Sequence, residues 1–94
     1  MTLPLSRQSA LVTGGTKGFG RGIAAALRAA GARVYVTGRD QSALDDAARE
    51  LGVTSLRADV TSPTDWDRVL KHILGDAGRI DILVNNAGGG VKIA

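Results

Sequence analysis

Thr13-Gly14-Gly15-Thr16-Lys17-Gly18-Phe19-Gly20 is the stretch from which the fold is read. It follows an apolar run, Ala10-Leu11-Val12, and leads into an alanine-rich helical pattern from Arg21 to Ala30. A glycine-rich turn between a strand and a helix makes an anion site. The glycines admit a close approach of backbone, and the free N–H groups and positive dipole end of the helix face the anion. The spacing is G-x-x-x-G-x-G, which departs from the G-x-G-x-x-G fingerprint and from the GK[ST] ending of a P-loop.

Outward from that turn, short β-rich runs alternate with helical periodicity, the pattern of βαβ units and a parallel sheet. The first strand spans about Ser9 to Thr13, and the helix after it presents Phe19, Ile23, Leu27 and Ala30 on one face, with Gly31 as its stop. Arg33 to Thr37 forms the second strand. Asp40 is the N-cap of a helix that runs to Leu51, with Leu44, Ala47, Ala48 and Leu51 inward and Gly52 at its end. A third strand covers about Thr54 to Ala58. Ser62-Pro63-Thr64-Asp65 then supplies a cap, a first-turn proline and a first-turn acid. Trp66, Val69, Leu70 and Ile73 make the buried stripe of the third helix, Gly75 to Gly78 closes it, and Ile80 to Val84 is the fourth strand. The expected fold is α/β, a doubly wound parallel sheet of the Rossmann type with strand order 3-2-1-4. Its ligand crevice lies outside the carboxyl ends of strands one and four.

Composition excludes several function classes. With 12 basic and 9 acidic residues the net charge is +3, but the basic residues are scattered and only three residues are aromatic. Neither a basic stripe nor a stacking platform for nucleic acid results. The chain lacks cysteine, and its one histidine, His72, is expected on a solvated helix face. No metal site follows. The apolar runs are broken by charges well short of a membrane span, and the first residues carry no basic region or long apolar core of a secretory signal. A cytoplasmic location is the expectation.

Two further segments stand with the glycine turn: Asp59-Val60 after the third strand, and Asn85-Asn86-Ala87-Gly88 after the fourth. T-G-x-x-x-G-x-G, D-V and N-N-A-G in this order resemble the short-chain dehydrogenase/reductase family, from about Ser9 to Gly89. The resemblance implies an oxidoreductase that moves hydride between a nicotinamide dinucleotide and a small carbonyl or alcohol substrate, as a homo-oligomer when complete. It implies that Gly14, Gly18 and Gly20 shape the pyrophosphate loop, with Thr16, Lys17 and Phe19 among the cofactor-binding residues. Asp59 would hydrogen-bond the adenine amino group and Val60 pack on the ring, while Asn86, Ala87 and Gly88 would border the adenosine ribose. The alternative for Asp59 and Asn86 is a turn residue that satisfies backbone groups.

The family's serine and Tyr-x-x-x-Lys have no counterpart here. Tyr35, the only tyrosine, sits in the run Val34-Tyr35-Val36, and Arg39 stands four residues on. Residues 1–94 are therefore expected to be the amino-terminal, cofactor-binding part of a larger domain, inactive as a dehydrogenase alone. A non-catalytic dinucleotide-binding module or an assembly piece is the alternative. Against the module reading, the fourth strand would then be an exposed apolar edge, and 89–94 reads as a cut within a loop; in an assembly piece a partner chain would complete that strand.

The end of the second strand chooses the coenzyme. An acid there binds the ribose diol and repels a 2′-phosphate. Here the place reads Thr37-Gly38-Arg39, and Arg39 can fork onto a phosphate with Lys17 beside it. NADP is the expected cofactor. NAD, with Asp40 on the diol, is the alternative.

Overall fold

A computed structural model of the chain describes residues 3–86 and 92–93. Three helices and five strands follow in the order β1 (Ser9–Thr13), α1 (Gly18–Ala29), β2 (Arg33–Gly38), α2 (Gln41–Leu51), β3 (Thr54–Arg57), α3 (Pro63–Ala77), β4 (Ile82–Asn85) and β5 (Lys92–Ile93). The sheet order is β3-β2-β1-β4-β5, with every pairing parallel except β4 to β5. The parallel strands therefore stand in the expected order 3-2-1-4.

Alternation along the strands builds two cores. Ala10, Val12, Val34, Val36 and Val84 point to one face and meet Ala24, Leu44 and Val53, with Ile23, Leu27 and Leu51 partly buried around them. Leu11 and Tyr35 point to the other face and meet Ala58, Val69 and Ile73, with Trp66 and Leu83 alongside. Thus α1 and α2 cover one face and α3 the other. β1, buried at all five residues, is the axis about which the chain reverses direction. A strand covered on both faces reads as a continuous apolar run, which is why Ala10-Leu11-Val12 shows no alternation.

The caps behave as their chemistry dictates. Asp40 accepts from the N–H groups of Ser42 and Ala43, and Ser62 accepts from that of Asp65. Gly52 and Gly78 end α2 and α3 in the left-handed conformation.

Four expectations need correction. Phe19 does not join the inward face of α1; it is 81% exposed, and the buried row runs through Gly20 and Ala24 instead. The helix approaches the sheet closely, so small residues face inward and the bulky ones flank. On α3, Leu70 lies outside the stripe, 37% exposed, while Val69 and Ile73 are buried. β4 begins at Ile82 rather than Ile80, although the Asp81 N–H already donates to the Ser9 carbonyl at 2.9 Å. Finally, the far side of β4 is paired: Val84 lies opposite Ile93 and Asn85 opposite Lys92. That pairing makes residues 92–93 a strand rather than loop and meets part of the edge's hydrogen-bonding demand.

Candidate dinucleotide site

The carboxyl ends of β1, β2 and β4 lie in register, with Thr13 beside both Thr37 and Asn85. The glycine turn leaves β1 at this point. Gly14 and Gly18 hold φ of +66° and +56°, which a side chain at either position would strain. Gly20 has a different reason to be glycine. A Cβ there would come within 2.3 Å of the Gly14 carbonyl oxygen and 2.6 Å of Asn86 Nδ2. The bare backbone lets the first turn of α1 close onto the loop.

Asn86 completes the clamp. Its Nδ2 donates to the Gly14 carbonyl at 3.2 Å and its backbone N–H donates to Thr13 Oγ1 at 2.9 Å. Thr13 Oγ1 in turn donates to Asn85 Oδ1 at 3.1 Å. The end of β4 therefore holds the glycine turn in shape, the turn-stabilising role open to Asn86 from its sequence. Ala87 and Gly88 lie outside the described residues.

A hollow of about 420 Å³ opens beside this clamp, within the range of small-molecule sites. Of the residues singled out from sequence, Gly14, Thr16, Lys17, Arg39, Asp59 and Val60 line it. Gly18 and Phe19 do not; with Gly22, Ile23 and Ala26 they border a separate apolar surface on α1. Gly20 and Asn86 act from beneath, through the contacts just given. Thr37, Ala58 and Thr61 also line the hollow. Thr37 belongs to the Thr37-Gly38-Arg39 end of β2, whereas Ala58 and Thr61 enter because β2 and β3 end side by side, a signal of strand register rather than residue type.

The electrostatics of the hollow favour an anion. Lys17, the N-cap residue of α1, is extended and places no side-chain acceptor on the first helical N–H groups. Those groups and the helix dipole form a positive end. Among the described residues neither Lys17 nor Arg39 has an ion-pair partner. Asp59 is the hollow's half-buried acid. Thr61 donates to its Oδ1 through both the hydroxyl (2.6 Å) and the backbone N–H (2.9 Å). These two bonds, with the nearby Arg39 charge adding, hold its carboxyl below the ordinary aspartate range. Asp59 is thus a turn-capping acid with its second oxygen left for another donor. Asp40 also reaches the hollow while Oδ1 caps α2 at 3.0 Å from Ser42 N.

One buried side-chain polar atom lacks a hydrogen-bond partner among the described residues: Thr37 Oγ1, on a residue in the hollow's wall. Together with the glycine cradle and the two unpaired cations, this unmet polar group fits a phosphate-bearing ligand better than an apolar one.

Comparison with known proteins agrees with this architecture. A family model described as short chain dehydrogenase matches residues 8–94. An L-xylulose reductase of Bos taurus is 47% identical over 88 residues, covering 93% of this chain and 34% of that protein. A short chain dehydrogenase from Bacillus anthracis superposes with a TM-score of 0.86 at 34% identity, over 88% of this chain and 35% of that one. The RhlG/NADP active-site complex of Pseudomonas aeruginosa superposes with a TM-score of 0.82 at 39% identity, over 92% of this chain and 36% of that one. The chain spans about a third of the length of the proteins it matches.

Proposed function

The chain belongs to the short-chain dehydrogenase family, and from that premise we propose that it is the NADP(H)-binding part of an oxidoreductase acting on a carbonyl or alcohol. The observation that carries this reading is convergence: the glycine turn, Arg39 and Asp59-Val60, separate in sequence, border one hollow. Bound there, a nicotinamide dinucleotide supplies or accepts the hydride.

This chain's own residues bind and orient. The amino end of α1 and the turn at Gly14 face the diphosphate, Val60 offers an apolar wall to the adenine, and the free oxygen of Asp59 accepts from the adenine amine. Lys17 and Arg39 receive the 2′-phosphate. Each charge-assisted hydrogen bond contributes about 1.5–3 kcal/mol, so two favour NADP over NAD by at least roughly a hundredfold. The groups that handle the substrate proton, the substrate itself and any homo-oligomer belong to the whole protein; we assign residues 1–94 to its amino-terminal cofactor-binding part.

Fluorescence titration with NADPH and NADH tests the assignment. Arg39→Ala is expected to weaken NADPH binding at least tenfold and to leave NADH within about twofold. Equal losses for both coenzymes would count against it.

A further inference from the structure

Arg57, near the end of β3, lies opposite Gly38 in the register of β2 and β3, one residue from Arg39. Arg57 Nε donates to the backbone carbonyl of Arg39 at 3.4 Å. Both side chains border a second hollow, with Ala58, Asp59, Asp65 and Arg68. This hollow shares Arg39, Ala58 and Asp59 with the first, so the two adjoin at these residues.

The charges in the second hollow are not balanced. Its acids already have work: Asp65 pairs with Arg68 at 3.6 Å and accepts from the Asp59 N–H at 2.8 Å, and Asp59 Oδ1 is held by Thr61. Arg68 also donates to the Arg57 carbonyl at 2.5 Å. Arg39 and Arg57 remain as two guanidinium groups without an ion-pair partner among the described residues. Three arginines against two aspartates leave this hollow with one positive charge in excess, which an anion would offset. The backbone just after Arg57 is held by α3, through Arg68 on the Arg57 carbonyl and Asp65 on the N–H of Asp59, so little backbone ordering remains when a ligand arrives.

We propose that Arg57 is a further specificity-determining residue, a second guanidinium for the phosphate on the adenosine ribose. It steadies the Arg39 backbone through Nε and offers its terminal nitrogens to the same anion. The inference rests on the NADP reading above and deepens it.

Adenosine 2′,5′-bisphosphate and 5′-AMP are the probes, because they differ only in the phosphate at issue. Calorimetric titration of the chain with each, for the parent, Arg39→Ala, Arg57→Ala and Arg57→Lys, separates the outcomes. Arg57 is exposed, so its variants are expected to melt with the parent. Arg57→Ala is expected to weaken the bisphosphate about 5- to 20-fold and 5′-AMP less than twofold, the range of a partly solvated charge-assisted contact. Arg57→Lys should recover only part of that loss, since lysine keeps the charge and loses the fork. If Arg39→Ala is selective for the bisphosphate while Arg57→Ala is silent or weakens both probes alike, this inference falls and the NADP reading stands. A parent chain without preference for the bisphosphate overturns both.

Discussion

At Thr37 the described residues leave a hydroxyl unsatisfied. Among them its Oγ1 is buried without a partner in the wall of the hollow, and an unmet buried polar group costs about 1–3 kcal/mol. Valine has nearly the same shape without that demand. Thr37→Val is therefore expected to raise the stability of the ligand-free chain by about 0.5–1.5 kcal/mol. The midpoint of a urea transition reads this directly, and a lower midpoint for the variant would refute it. Glycines of one motif also divide their labour at this scale. Gly14 and Gly18 were legible as turn residues, but the contact between Gly20, the Gly14 carbonyl and Asn86 exists only once β4 lies beside β1.

Among the elements, α2 carries the clearest conflict between structural and binding roles. Asp40 lines the hollow and yet caps the helix through Ser42 N and Ala43 N. If capping is its task, Asp40→Ala should cost about 0.5–2 kcal/mol of stability and leave NADPH and NADH affinities within about twofold. A loss of NADH binding alone would instead assign the ribose diol to Asp40. Helix boundaries were readable because caps are local chemistry: Asp40, Ser62, Gly52 and Gly78 each act within four residues of themselves. The buried faces of α1 and α3 were less readable. A 3.6-residue period fits neighbouring stripes almost equally well, and the depth of approach to the sheet selected Gly20 and Ala24 over Phe19, and Val69 over Leu70.

For the molecule as a whole, contacts at Asp81 and Tyr35 shape the response to pH, with Asp59 adding to the acid side. The Arg79 guanidinium bonded to Asp81, and then the Ser9 N–H at 2.8 Å, hold the Asp81 carboxyl below the ordinary aspartate range. A lowered folded-state pKa means stability that is present above about pH 4, the unfolded value, and lost as pH falls through the folded one. Burial, and then the bond to Asp76, raise the Tyr35 hydroxyl. That contribution is present below about pH 10 and lost as pH climbs through the raised value. Urea midpoints are expected to be flat between these limits and to fall outside them. Asp81→Asn should blunt the acid limb and Tyr35→Phe the alkaline one. A chain that gains stability below pH 4 would contradict the assignment.

The amino-acid sequence by itself determined the succession of strands and helices, the caps, the glycine turn and the place of Arg39, because each depends on residues close together in the chain. Tertiary structure alone decided which residues share the hollow, that Asn86 braces Gly14, that β5 pairs with β4, and that Arg57 stands beside Arg39. Those contacts join segments up to 72 residues apart. They are set by strand register and by how closely a helix can approach the sheet, quantities that no local pattern encodes.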